Sequence, residues 1–506
     1  MKTSKFLLSG LAFFGLAGSV LAQSQEDALR FSRLDFGGTA RVQGLAGANQ
    51  ALGADISSLA GNPAGLGLFR RSEFNVTPGL TFNETLSKAN GVSTSDNRNN
   101  FNISSVGVVF TDRKDDADMS DWRSGSFGIG FTRLNNFQNS VSYHSQIDSR
   151  NSIVYYFADE AFFNNRTVAG LNDEFNSNNI YSLEGLAWAT YLLDIDTARN
   201  EFTVPALAGQ VRQQEDIITR GAQYQWDFAY GASYRDKLFI GGSIGIMSSR
   251  YVRERMYREI DTDANTDFEQ LVMSDELRTT GTGINLRVGL IYKPSDIVRF
   301  GASVQTPTWS GYKDKFDTSL SAKYASDGTF TASAVPGEYS YNIYTPFRAN
   351  GGVAVFASKY GFFTADVEFV NYGSTRFAVT YSDDVPPPTQ DEKDYFRAVN
   401  NNMRRDYQKA FNLRFGAEGR YNIFRFRAGY AHYGSPYSDS SLDGTKSYRT
   451  AGVGIRQQRT YLDLAYVNSS VNSLYSPFEF RDGGGETVVK TDNDYHGVLV
   501  TFGVNF

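Results

Sequence analysis

The 506-residue chain contains no cysteine, which excludes disulfide frameworks, thiolate metal sites and cysteine nucleophiles together. Histidine is nearly as scarce. Only His144, His432 and His496 occur, far apart in sequence, so neither an imidazole metal cluster nor a Ser-His pair is expected. No cofactor, metal or catalytic residue follows from this inventory. There is no basic tract and the formal charge is −6, which argues against nucleic acid as a partner. Beyond the N-terminus no apolar run approaches the ~20 residues that a membrane-spanning helix needs. That excludes a helical bundle but not a membrane barrel, whose strands are apolar only at alternate positions. Proline is low at 12 residues, whereas 48 glycines and 14% aromatic residues suit many twisted strands.

Lys2 and Lys5 precede an apolar stretch from Phe6 to Leu21 that ends in Val20-Leu21-Ala22. A basic start, a short apolar core and a small-residue end predict a secretory signal peptide over residues 1–22. Losing Lys2 and Lys5, with no acid in that stretch, takes the formal charge from −6 to −8.

From Ser72 onward apolar residues recur at every second position. Phe74, Val76, Leu80 and Phe82 alternate with polar or small residues, as do Val498, Val500, Phe502, Val504 and Phe506 at the other end. This pattern predicts strands near 72–84, 99–110, 124–148, 221–234, 237–258, 270–292, 297–322, 339–356, 361–379, 407–421, 423–433, 447–457, 459–468 and 493–506, fourteen in all. Periodicity alone leaves two all-β architectures open, a soluble sandwich or propeller and a lipid-facing barrel. The connections favour the barrel. Short links such as 234–237, 293–296, 358–360, 421–422 and 457–458 follow even-numbered strands. Longer ones follow odd-numbered strands: 88–98, 149–220, 259–269, 323–338, 381–405, 434–446 and 471–492. The link 112–123, after the second strand, is longer than the other short ones. Residues 72–506 are therefore expected to form a transmembrane antiparallel barrel with both termini on the periplasmic side. Residues 149–220 exceed a simple turn. Asp159 to Phe163 and Leu183 to Leu193 look helical, and Phe162, Phe163, Leu186, Trp188, Tyr191 and Leu192 form either a greasy surface at the barrel mouth or the loop's own core.

Residues 23–71 do not alternate and are rich in Gly and Ala, which suits close backbone packing in a confined space. Asp55 with Ser57 and Ser58 predicts a short helix that Asn62-Pro63 ends. Arg41 to Gly47, Asp55, Ser57 and above all Asn62-Pro63-Ala64-Gly65-Leu66 resemble the plug, or hatch, of the FadL/TodX family of outer-membrane transporters. Arg299-Phe300-Gly301-Ala302 followed by Pro307, and Tyr344-Thr345-Pro346-Phe347-Arg348, are similar to that family too. The resemblance implies an all-β, fourteen-stranded barrel of the bacterial outer membrane with an N-terminal hatch. It also implies passive uptake of long-chain fatty acids or aromatic hydrocarbons, released sideways into lipid through a gap in the third strand. The terminal Phe506 resembles the signal read by the barrel-insertion machinery. A related reading is a non-transporting barrel that docks exported proteins; an outer-membrane hydrolase is disfavoured by the scarcity of histidine.

The third strand carries a break. Phe127, Ile129 and Phe131 share one phase, but Leu134 and Phe137 follow with Arg133, Asn135 and Asn136 among them, as a bulge would produce. The family likeness places the Asn-Pro-Ala segment beside this kink, so Asn62 and Pro63 are expected near Asn135 and Asn136. Alternation turns Arg287, Arg299, Arg348, Asp366, Glu368, Arg414, Glu418, Arg420, Arg425, Arg427 and Asp463 into the lumen. There they either brace the barrel and anchor hatch acids such as Asp35 and Asp55, or bind a substrate carboxylate; bracing is favoured. Two motif matches carry nothing. Gly241-Gly242-Ser243-Ile244-Gly245 lies inside a strand and not at a strand-to-helix elbow. Asp261, Asp263, Asn265 and Asp267 have calcium-loop spacing but Thr266 and Val272 where Gly and Glu are required.

Overall fold

The computed structural model describes residues 25–506 except positions 116, 197, 199, 200, 208, 264, 381–386, 482 and 483. The expected signal peptide lies outside the described residues. Fourteen antiparallel strands follow one another round a closed barrel: β1 Glu73–Ala89, β2 Val92–Arg113, β3 Trp122–Asn136 continued by Asn139–Asp148, β4 Gln210–Tyr234, β5 Leu238–Asp261, β6 Phe268–Tyr292 and β7 Val298–Gln305 continued by Trp309–Tyr324. The second half comprises β8 Gly337–Tyr344 and Arg348–Phe356, β9 Gly361–Asn371 and Arg376–Val379, β10 Lys409–Tyr421, β11 Phe424–Tyr433, β12 Lys446–Arg456, β13 Thr460–Tyr475 and β14 Val489–Asn505. Pairing of β1 with β14, from Glu73↔Asn505 to Ala89↔Val489, closes the ring.

Burial is inverted relative to a soluble protein. Phe127, Ile284, Val288, Phe363, Phe415 and Phe502 are exposed on the outer face, whereas Asn75, Thr77, Asp227, Asn285 and Asp463 are buried inside. An apolar exterior round a polar lumen belongs in lipid, and it decides against the sandwich. Pro307 and Pro346 interrupt β7 and β8 side by side, because proline donates nothing to a ladder. Thr308 and Thr345 repair the break by donating to each other, Thr308 N to Thr345 Oγ1 at 2.9 Å and Thr345 N to Thr308 O at 3.1 Å.

Several connections are shorter than expected. No long loop spans 88–98: β1 and β2 zip up to a tight turn at Asn90-Gly91, both at positive φ, the Asn-Gly signature of a two-residue hairpin. The strand was concealed because Ser93 to Asn100 is polar on both faces, so hydropathy does not alternate there. β4 likewise begins earlier, at Gln210, β13 runs to Tyr475, β14 starts at Val489, and a hairpin strand Gly328–Ser333 extends β7. β4 and β6 have 25 residues each, ~80 Å of chain, far more than the ~25 Å apolar band requires even when tilted. The barrel therefore rises well above its lipid-facing zone on that side.

Among the described residues there are six α-helices. α1 Gln25–Ser32 and α2 Ala40–Gln43 lie in the lumen. α3 Ile153–Phe163, α4 Val168–Asn176 and α5 Leu183–Ala189 form a cap against the tall wall. Leu186 and Leu192 are buried in a core with Tyr257, Leu271 and Leu320, while Phe162, Phe163 and Tyr191 are exposed, so the two readings of that loop divide between residues. α6 Gln390–Asp406, absent from the sequence reading, opens on a Thr389/Glu392 capping box and buries Phe396, Val399 and Met403 against Tyr341, Tyr372 and Phe377.

Candidate functional site

Residues 33–69 cross the barrel interior as a series of capped turns. Thr39 caps α2 and donates through Oγ1 to both oxygens of Asp55 at 3.0 Å. Asp55 in turn accepts from Ser57 N at 2.9 Å and caps a 3₁₀ turn, Ile56–Ser58. Asn62-Pro63 does not merely end that turn. It opens a second one, Pro63–Leu68, with Asn62 Oδ1 accepting from Ala64 N at 3.2 Å. The same side chain donates through Nδ2 to Gln50 O at 2.8 Å and to Leu290 O of β6 at 3.2 Å. Ala64 and Gly65 follow, both buried.

Glycines in the wall let this segment lie flat against it. Gly231, Gly241 and Gly289 are cross-strand partners on β4, β5 and β6. A Cβ at Gly241 would fall 2.4 Å from Pro63 O, one at Gly231 2.7 Å from Leu66 Cβ, and one at Gly289 1.9 Å from Asn62 Oδ1. The pairs Gly301/Gly352, Gly107/Gly130 and Gly416/Gly429 receive Gln50, Ile56 with Leu59, and Leu45 in the same way. Sequence reasoning missed this shelf. Its signal was glycine at inward-phase positions of strands whose other inward residues are large and polar.

The inward charges are joined in networks. Arg427 reaches Glu418 at 2.8 Å and Asp463 at 2.7 Å; Glu418 also takes Arg420 at 2.8 Å and lies 4.0 Å from Arg41, which lies 3.7 Å from Asp55. Glu368 receives Arg348 at 2.9 Å and Arg414 at 3.4 Å, and Arg348 also donates to Ser32 O. Asp366 accepts from Gln50 N at 2.9 Å. Arg287 lies 3.8 Å from Asp227 and donates to Leu59 O at 3.3 Å, and Arg299 donates to Leu52 O at 3.0 Å. Arg299 and Arg425 differ in having, among the described residues, no carboxylate within 4 Å; Arg425 donates to the turn carbonyls of Asn422 and Phe424, and Arg299 leaves Nε without a hydrogen-bond partner. Each remaining group ties wall to wall or wall to lumen segment, where breaking one buried pair costs ~3–5 kcal/mol.

Asp35 fastens the lumen segment at its upper end. Lys446 donates to its carboxylate at 2.8 and 3.1 Å and Tyr448 also donates to it. Burial opposes the charge, yet Lys446, Tyr448 and Arg33 together hold the Asp35 carboxyl below the usual carboxylate range. A depressed folded-state pKa means that this contribution to stability is present above the unfolded pKa of ~3.9 and disappears as pH falls through the lower folded value. A spin label on Leu34→Cys, unambiguous in a chain without cysteine, should therefore keep constant mobility from pH 8 to ~4 and loosen only below. With Lys446→Met the loosening should begin at higher pH; superimposable profiles would refute the pin.

The third strand leaves the wall partway up. Backbone pairing between β2 and β3 runs from Arg113↔Ser124 to Ser105↔Thr132 and stops. On its other edge β3 stays paired to β4, with Arg133 opposite Tyr224 and Asn135 opposite Gln223, so Leu134 is an inserted bulge residue. Phe137 and Gln138 interrupt the strand, and Asn139 to Asp148 then pair with β4 alone. Across the resulting seam only side chains reach, among them Arg98 Nε to Gln138 Oε1 at 3.0 Å and Asn90 Nδ2 to Ser145 Oγ at 2.8 Å. Ile103 and the exposed Phe101 face outward on one lip, and Phe131, stacked on Tyr224, faces outward on the other.

Asn135 and Asn136 are not beside Asn62 and Pro63. Asn135 Nδ2 donates to Arg33 O at 2.9 Å and Gln223 Oε1 at 3.1 Å, and its Oδ1 accepts from Asp35 N at 3.3 Å, so it holds the chain just after α1. Asn62 binds β6 at Leu290. The expected proximity fails on height: the Pro63–Leu68 turn does reach the third strand, but at its lower end, where Ser124 Oγ donates to Gly67 O at 3.1 Å, eleven residues before Asn135. Arg133 is buried, donates to Asn136 Oδ1 at 2.6 Å, leaves Nε without a hydrogen-bond partner and, among the described residues, has no carboxylate within 4 Å.

Three cavities meet here. The largest, about 440 Å³, lies towards the long loops and is lined by Leu29, Arg30, Phe137, Val141, Ile217 and Leu474 among others. A second of about 50 Å³ lies at the seam between Leu80, Asn102, Ser104, Arg133 and Leu134, and shares Asp35, Asn135 and Asn136 with the first. A third of about 90 Å³ shares Asp35, Phe36, Gly37 and Leu134 with the second and reaches Arg287, Arg348 and Arg414. Ser243 sits in an uninterrupted strand, and among the described residues no cluster of His, Asp and Glu has metal-binding geometry.

No family model and no curated protein sequence matches the chain. Among solved structures it is similar to the Pseudomonas putida toluene transporter TodX, at 14% identity and a TM-score of 0.51 over 93% of this chain and 99% of that one. A Pseudomonas aeruginosa FadL homologue is 11% identical with a TM-score of 0.56 over 94% and 99%. The Ralstonia pickettii toluene transporter TbuX is 14% identical with a TM-score of 0.50 over 93% and 99%. The likeness is one of fold, and at that level it agrees with the resemblance carried by Arg41 to Gly47 and Asn62 to Leu66.

Proposed function

We propose that this protein is an outer-membrane channel for passive uptake of hydrophobic small molecules, which leave sideways into the bilayer between β2 and β3. The observation that carries the reading is the seam above Ser105↔Thr132, where two strands lose their backbone ladder at a level where Phe101, Ile103 and Phe131 face lipid. An apolar solute gains much more by entering hydrocarbon than by entering periplasmic water, so an exit at this height is the favourable one. In this reading the long loops face outside, both termini face the periplasm, and residues 33–69 block the straight route as a hatch. Substrate would collect in the large upper cavity and pass Asn135 and Asn136 to the seam.

Arg133 favours an amphiphile with an acidic head, such as a long-chain fatty acid, over a plain hydrocarbon, because a buried guanidinium without a carboxylate is a ready partner for one. Arg287, Arg348, Arg414, Arg420 and Arg427 already face carboxylates of the wall. Native mass spectrometry of protein extracted gently from its own membrane tests the reading: a co-purifying acyl or aromatic molecule supports it, whereas a bound exported protein over an empty lumen replaces it with the docking platform. Arg133→Gln should lower retention of an added fatty acid ~10-fold and leave toluene retention unchanged; equal losses of both would exclude the acid-selective role.

A further inference from the structure

The short-turn end of the lumen, which the transport reading leaves unused, carries more guanidinium groups than its carboxylates can serve. Arg299 is the second residue of β7, Arg420 the next to last of β10 and Arg456 the last of β12, so all three stand beside short turns whatever the tilt of their strands. Glu418 serves three cations, Arg420 and Arg427 at 2.8 Å and Arg41 at 4.0 Å, and Asp463 is shared between Arg427 at 2.7 Å and Arg456 at 2.8 Å. Arg425, the cross-strand partner of Arg420, turns away to the carbonyls of Asn422 and Phe424, as two like charges directly opposite each other require. Arg299 and the exposed Arg70, among the described residues, have no carboxylate within 4 Å. The cations whose fields reach Arg299 include Arg41, Arg70 and Arg420, and the acid among these neighbours, Asp296, is taken by Lys293 at 2.5 Å. Two of the guanidiniums are held on aromatic rings. Arg299 lies 4.4 Å from the centre of Phe356 and Arg420 5.5 Å from that of Phe362, and these rings, cross-strand partners on β8 and β9, are 5.6 Å apart. Arg299 donates through Nη1 to Leu52 O at 3.0 Å, while its Nε, sealed from water, has no partner.

We infer that Arg299 and Arg420 of the wall, with Arg41 and Arg70 of the segment that crosses the lumen, bind a phosphate dianion, either the free ion or the monoester head of a lipid. A carboxylate presents two coplanar oxygens, which a single guanidinium satisfies. A phosphate presents three oxygens in different directions and a double charge, which suits several guanidiniums approaching from separate elements. The ligand would also complete a fastening. At its upper end the lumen segment supplies its own acid, Asp35, to the wall cation Lys446. At the lower end wall and segment meet chiefly as cations, and Arg41 comes no nearer to Glu418 than 4.0 Å. An anion from outside the chain joins the two sides there. The site lies away from the seam, so it does not depend on what crosses between β2 and β3.

Equilibrium dialysis of the full-length protein in neutral detergent against radiolabelled inorganic phosphate at pH 8 reads the binding directly. One phosphate per chain should bind. Arg299→Gln and Arg70→Gln should each weaken it ~10-fold or more, while Arg404→Gln on the exposed face of α6 should leave it within ~2-fold. Arg70 is exposed and unpaired with any described acid, so its variant keeps the test decisive should Arg299→Gln fail to fold. Succinate should compete at least ~10-fold more weakly than phosphate. Competition by dihexanoyl phosphatidic acid as strong as that of phosphate assigns the group to a lipid head, and its failure to compete assigns it to the free ion; both support the site. In hydrogen exchange, phosphate should slow residues 66–71 by ~3-fold in the wild type and not in Arg70→Gln. No saturable binding, binding undiminished in both variants, equal displacement by succinate, or exchange indifferent to phosphate would each overturn the proposal.

Discussion

Deleting Leu134 should cut uptake of a hydrophobic probe by ~10-fold or more while the barrel remains folded and heat-modifiable on gels. The expectation follows from register. Arg133 faces Tyr224 and Asn135 faces Gln223, so one residue of β3 has no partner on β4. An inserted residue bends its strand and increases local twist, and here the bend carries Asn139 to Asp148 away from β2. Without Leu134 the β3–β4 ladder runs through in one register, because Asn136↔Ala222 and Asn139↔Thr219 already lie on the line that Arg133↔Tyr224 would then continue. A straight β3 can keep pairing with β2 above Ser105, which closes the seam. Neither strand face changes sides, since the bulge adds an inward residue without exchanging inward for outward. The measurement is uptake of a labelled fatty acid by cells with matched surface amounts of each form. Undiminished uptake by the deletion variant, with its seam shown closed by cross-linking of Cys pairs introduced on β2 and β3, would refute the lateral route.

Gly241→Val should expel the lumen segment from its seat. The added carbons would meet Pro63 O at 2.4 Å, Pro63 C at 2.5 Å and Ala64 N at 2.7 Å, all backbone atoms, with no side chain able to swing aside. Overpacking of this kind costs ~1–3 kcal/mol, and losing the two Asn62 hydrogen bonds to buried carbonyls adds ~1–3 kcal/mol. The barrel's own ladder is untouched, so the strain falls on the lumen segment. The expected result is entry of a bulky hydrophilic antibiotic that the wild type excludes, together with new protease cleavage between Asn49 and Phe69. Gly242→Val supplies the control, because Gly242 faces outward and a Cβ there meets nothing nearer than Arg287 O at 3.7 Å. If both variants exclude the antibiotic equally, the glycine shelf does not seat the hatch.

The fourteen strands were legible because lipid selects apolar residues at every second position, and Phe411, Leu413 and Phe415 or Ile284, Leu286 and Val288 can be read directly. The same rule fails above the membrane. There Ser93 to Asn100 form strand with polar residues on both faces, and only Asn90-Gly91 hinted at the true turn. The break at Leu134 was visible as an apolar residue out of phase. Its consequence was half visible: the bulge showed, but not that Asn135 would grip Arg33 and Asp35 while Asn62 bound Leu290, because contacts separated by 102 and 228 residues leave no local pattern. Arg133 was legible only as part of the phase break, together with Asn135 and Asn136. Its isolation depends on which carboxylates the fold brings within reach, and the fold assigns them to Arg348, Arg414 and Arg427.

The seam also redistributes mechanical strength round the ring. The chain's two ends meet in the β1–β14 junction, the place where a rolled sheet is ordinarily expected to come apart, yet that junction is fastened by fifteen residue pairs. β2 and β3 share nine, although the chain runs directly from one to the other. Thermal breathing should concentrate at this inner line, which is zipped at its lower end and tethered there by the covalent link through residues 114–121. The cylinder behaves like a collar slit from the top: it can part at one place without unrolling.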